Sequence, residues 1–251
     1  MTIDRTIIEW LYEPLDFFEN PVHHLGFNYD LDIQDGQAQA SLKTPTEPVP
    51  SQLTVAIQTT LQTIFDARQL LIHRAYRLKE TRVYQHRSNG QINRMINLRA
   101  ALVATSSTGA IDVTMTDASG RVIKDSRAER IAEHSRFIAL ITAAIEKHPL
   151  LKALLASYRA AVHNPTHELI HLYEIRDALG QHFGEDQIAR QRLGISQAEW
   201  TRLGRLANTE PLEQGRHRGK HPVGRRPASS QELEEARTIA RRLIEAFAHT
   251  L

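Results

Sequence analysis

The chain has 251 residues, 41% hydrophobic and 24% charged, with a formal net charge of +2 and no cysteine. That is length enough for a substantial core, in one large domain or two small ones, and the composition is not that of a disordered chain. Disulfides, thiolate-zinc sites, cysteine-ligated iron–sulfur clusters and a cysteine nucleophile are all excluded. The opening MTIDRTIIEW has no basic flank leading into an apolar core, and no apolar run approaches the ~20 residues of a membrane span, so the expectation is a cytoplasmic protein without membrane association.

The charge is unevenly spread. Residues 1–50 carry nine acids against Arg5 and Lys43, a net of −7, which leaves +9 on the remainder. The basic part suits a polyanion and the acidic part suits regulation or a protein partner.

In chain order, GFNYDLDIQDGQAQASLKT alternates around Asp35 and Gly36, a dipeptide that accepts the positive φ of a tight hairpin turn. TPTEPVP follows as a linker. From residue 51 to about residue 76, Val55, Ile57, Leu61, Ile64, Phe65, Leu71 and Ile72 recur at helical spacing, as one helix or two joined near Asp66. RVYQH and INRMINLRAALVAT come next, and then AIDVTMTD and GRVIKD, which meet around Ala118, Ser119 and Gly120 as a second hairpin.

Helical signals dominate from there. SRAE, with Ser126 and Glu129, fits a capping box opening a helix to about residue 147. Pro149 starts the next helix, which ends before Asn164 and Pro165; others are predicted over 165–181 and 185–193. Ser196 with Glu199, and Ser229 with Glu232, are two further boxes opening the last two helices. The expectation is an α+β protein: a strand-rich region with a helix over residues 1–125, and a helical bundle over residues 126–251.

Two features carry chemistry. The first is HELIH at residues 167–171, an H-E-x-x-H pattern that could place His167 and His171 on a zinc ion with Glu168 as general base. Asn164 and Pro165 look like the N-cap and first residue of that helix, which puts the motif in its first turns, and the third ligand of the longer metallopeptidase pattern is absent. The zinc metallopeptidase reading is therefore an alternative, and ordinary polar positions on a core-packed helix the plainer one. The second feature is the loop TEPLEQGRHRGKHPVGRRPAS, residues 209–229. It concentrates Arg216, His217, Arg218, Lys220, His221, Arg225 and Arg226 with no acid between residues 215 and 226. Structureless loops of this length inside a domain tend to be functional or disordered. Neither G-x-x-x-x-G-K-S/T nor G-x-S-x-G occurs, so nucleotide hydrolysis and a serine-hydrolase elbow are not expected.

ELIHLYEIRDAL, LGISQAEWTRLGRLAN and GRHRGKH, closed by ELEEARTIARRLI, resemble the helical HEPN-like domains of bacterial toxin and anti-phage (phage-defence) proteins, over about residues 126–251. Many members are metal-independent ribonucleases with an arginine, four to six intervening residues and a histidine near the last long helix. Five Arg/His pairs in this chain have such spacing, and location and basic setting single out Arg216 and His221. The residue after the arginine, often asparagine in that superfamily, is His217 here.

The resemblance implies an endoribonuclease without cofactor, acting as a homodimer. His221 would be the acid/base and Arg216 the phosphate clamp, with His217, Arg218, Lys220, Arg225 and Arg226 holding the RNA backbone. Tyr173 and Glu174 read as core or supporting groups. A nucleic-acid-binding or regulatory module without catalysis, and a scaffold whose loop orders on a protein partner, are the other two readings of the same loop.

Overall fold

A computed structural model describes residues 3–96, 112–117, 119, 121–216 and 224–251. It is an α+β fold, with strands and one helix first and a helical bundle after them. Two compact units interleave along the chain. One comprises Met1–Gln62 with Tyr76–Arg136, and the other Thr63–Ala75 with Phe137–Leu251. The sequence reading draws a single boundary after residue 125, whereas the second unit takes residues from two separated stretches.

The first unit is built on a six-stranded antiparallel sheet of order β2-β3-β4-β1-β5-β6. Its strands are β1 (Ile3–Glu13), β2 (Val22–Leu25), β3 (Tyr29–Gln34), β4 (Gln37–Leu42), β5 (Arg77–Arg87) and β6 (Ile92–Ile96). β3 and β4 bury every second residue, the period expected of strands with one face on a core. Their two-residue turn has φ of 48° at Asp35 and 80° at Gly36, as the dipeptide predicts. β1 lies between β4 and β5 and buries Ile8, Trp10 and Tyr12 on one face with Ile7 and Glu9 on the other. Helix α1 (Ser51–Ile72) is continuous, and in this unit it buries Ile57 and Leu61, while Thr60 accepts the Tyr29 hydroxyl at 2.7 Å.

The hairpin β7 (Thr114–Thr116) and β8 (Val122–Asp125) forms a separate two-stranded sheet, as expected; Ala118 and Gly120 of its turn, and residues 97–111, lie outside the described residues.

Helix α2 (Ser126–Ala144) begins where SRAE predicts, but the box does not form. Asp125 caps it instead, accepting from the backbone N–H groups of Arg127 and Ala128 at 3.0 Å each. Ser126 is already the first helical residue, so its hydroxyl turns away and accepts from Val113 N at 2.8 Å.

In the second unit, α3 (Pro149–His163), α4 (Glu168–Phe183), α5 (Asp186–Leu193), α6 (Gln197–Asn208) and α7 (Ser230–Thr250) pack with α4 at the centre, against the other four. Leu169, Leu172, Ile175 and Leu179 make the buried stripe of α4. Both later capping boxes form, at Ser196 with Glu199 and at Ser229 with Glu232. Residues 165–167 form a separate 3-10 turn rather than the first turn of α4, because Asn164 is non-helical and its Oδ1 meets His167 Nδ1 at 3.2 Å instead of capping a backbone N–H. Helix α1 stops at Ile72, four residues short of the predicted end, because His73 turns to a φ of 44°. Among the described residues, no helix is long and apolar enough to cross a membrane.

Candidate nucleic-acid interface

Tyr173 and Arg176 sit three apart on α4, so they share a face of the helix. The Arg176 guanidinium carbon lies 5.2 Å from the Tyr173 ring centroid and 5.0 Å from that of Trp200 on α6. Its Nη2 donates to Asp186 Oδ2 at 2.6 Å. Two glycines inside helices make room for this group. A Cβ on Gly204 would stand 2.9 Å from Arg176 Nη1, and one on Gly180 would stand 2.9 Å from Asp186 Oδ1. Glycine within a helix costs about 1 kcal/mol relative to alanine, so both positions trade helix stability for space.

The basic loop is anchored beside this stack. Arg216 donates its backbone N–H to Ala207 O at 2.8 Å, and its guanidinium lies 5.6 Å from the same Tyr173 ring. Exposed Arg216 thus continues a run of alternating guanidinium and aromatic groups: Arg216, Tyr173, Arg176, Trp200. Cation–π contacts of this kind contribute about 0.5–2 kcal/mol each, and more with desolvation.

The loop's return strand is pinned by its backbone. Leu212 bridges to Arg226, Arg226 N donates to Pro211 O at 3.0 Å, and Glu213 N donates to Arg226 O at 3.0 Å. The Arg226 guanidinium pairs bidentately with Glu232 at 2.8 and 2.6 Å, and that contact, with the Ser229 cap, holds the Glu232 carboxyl down at about 2. Arg226 therefore ties the loop to the start of α7. Arg225 is exposed. His217, Arg218, Lys220 and His221 lie outside the described residues.

Compared with protein-family models, with curated proteins and with solved structures, the chain matches none of them.

HELIH is dispersed by the fold. His167 precedes α4, and His171 Nδ1 stands 3.2 Å from Glu174 Oε2. Glu168 is 2% exposed and accepts from Arg237 Nε at 2.6 Å and Nη2 at 3.0 Å. A carboxylate so committed is an anchor for an arginine, not a base awaiting a water. Among the described residues, no three His, Asp or Glu side chains stand together as a metal site. The sequence reading missed Arg176 and Trp200. Their only signal was the pair of glycines inside otherwise helical stretches, Gly180 and Gly204, which marks a close approach.

Proposed function

We propose that this protein is RNA-directed and that its helical unit is a metal-independent endoribonuclease. The observation that supports RNA as the partner is the guanidinium–aromatic run at the foot of the basic loop. Aromatic rings and arginine planes hold unstacked bases, and a basic groove holds the backbone. The resemblance to HEPN-like domains supplies the reaction. His221 takes the proton of a 2′-hydroxyl or returns one to the leaving 5′-oxygen, and Arg216 stabilises charge on the phosphoryl oxygens. The 2′-oxygen forms the new bond to phosphorus as the 5′-oxygen departs, leaving a 2′,3′-cyclic phosphate and a 5′-hydroxyl, with no metal in the balance.

The test is incubation of purified protein with total RNA in EDTA, beside Arg216→Ala and His221→Ala. Cleavage that persists in EDTA and falls by about 10²–10⁴-fold in His221→Ala is the expected result. RNA retained on a filter in a salt-sensitive way, with no new 5′-hydroxyl ends, would reduce the reading to a binding module. Absence of both binding and cleavage would overturn it.

A further inference from the structure

The anchored arginine lines a cavity. Glu168 fixes Arg237 through Nε and Nη2, which leaves Nη1 with no hydrogen bond, 3.6 Å from Glu234 Oε2. Arg237, Thr238 and Arg241 lie along α7 and share the wall of a cavity of about 90 Å³ with His73 and Tyr158. Arg241 has no carboxylate partner among the described residues, and the Thr238 hydroxyl has no hydrogen bond. The opposite wall adds no cation. His73 Nε2 faces Glu168 Oε1 at 3.3 Å and its Nδ1 meets the Tyr158 hydroxyl at 3.2 Å, so both ring nitrogens are engaged.

The donors lining the cavity are thus Arg237 Nη1, the Thr238 hydroxyl and the whole Arg241 guanidinium, spaced one helical turn apart. Two groups oppose an anion. The end of α1 lies on the cavity, and a helix C-terminus carries about half a negative charge. Glu234 carries a full one, but its side chain is 70% exposed and screened by water. Glu168 offsets one arginine and leaves the other in excess on the inner side. The volume admits one tetrahedral oxyanion or a carboxylate and is too small for a nucleoside.

We propose that this cavity binds a phosphoryl-sized oxyanion between Arg237, Thr238 and Arg241, with Glu168 as the positioning residue for Arg237. The ligand is either free phosphate or the phosphate of a nucleotide. The site is independent of the RNA reading, so Arg216→Ala leaves it unchanged.

Calorimetric titration of the full chain with inorganic phosphate and with adenosine 5′-monophosphate, at ionic strength held constant with chloride, tests it. Arg241→Met should weaken binding at least about tenfold, the loss of a charge-assisted contact. Glu234→Gln should tighten it severalfold, because the opposing charge is removed. Both changes lie on the accessible side of α7 and leave the Glu168–Arg237 pair intact. Tighter binding of the nucleotide assigns the phosphate to a nucleotide, and binding of inorganic phosphate alone assigns it to the free ion; either sustains the site. Heat from neither probe, an Arg241→Met affinity equal to the parent's, or weaker binding in Glu234→Gln would each overturn it, the last by showing a cationic ligand.

Discussion

His73 shows how a single residue couples stability to pH. In an unfolded chain its imidazole titrates near ~6.5. Folded, burial first and the Arg237 cation second push it down to about 3. Glu168, 3.3 Å away, does not hold a proton on it because its charge is already met by Arg237. Between the two values the unfolded chain binds a proton that the folded chain excludes. The contribution of neutral His73 is therefore complete above ~6.5 and is lost as pH falls toward 3, by at most about 1.4 kcal/mol per pH unit. His73→Asn keeps a residue tolerant of positive φ and cannot titrate there. Urea unfolding at pH 7 and pH 5 should show the parent losing roughly 2 kcal/mol more than the variant across that interval. Parallel losses would mean that His73 titrates normally. None of this was legible in the sequence, where residues 73, 158, 168 and 237 share no motif. Burial of Glu168, the middle of HELIH, is what draws them together.

At the scale of elements, Gly204 separates stability from recognition. Alanine there gains about 1 kcal/mol of helix propensity. Its Cβ meets only the far end of the Arg176 side chain, which can swing away at small cost. Gly204→Ala should thus be neutral or slightly stabilising in thermal unfolding. On the RNA reading it should also weaken RNA binding severalfold, because Arg176 leaves the rings of Tyr173 and Trp200. A variant that loses stability and keeps its RNA affinity would show that the stack is packing alone. Elements were largely readable from sequence where local chemistry decides them. The Asp35-Gly36 turn and the boxes at Ser196 and Ser229 need only neighbours within three residues. The box at Ser126 failed because a carboxylate one residue earlier caps the helix instead. The end of α1 was misplaced because it depends on His73 meeting Tyr158, a contact 85 residues distant.

For the whole molecule, the two-part architecture was legible as strand signals followed by helical ones, but the parts are not consecutive. Periodicity assigns α1 to a helix without saying which core each turn enters. Residues Thr63–Ala75 belong to the helical unit. They supply buried Ile64, Phe65 and Leu70, and Asp66, whose Oδ2 accepts from Arg159 Nη1 at 2.7 Å. Burying each large apolar side chain contributes about 1.5–3 kcal/mol. A domain's net stability is only about 5–15 kcal/mol, so losing three such groups removes a large part of it. Cutting before residue 126 also leaves Tyr158 without His73 and Arg159 without Asp66, exposing polar groups that the intact chain satisfies. A fragment of residues 126–251 should therefore unfold in urea at a much lower midpoint than the full chain, with a broad transition followed by helical circular dichroism. A sharp transition at the same midpoint as the helical signal of the full chain would show that residues 63–75 are dispensable and that the helical unit closes its core without them.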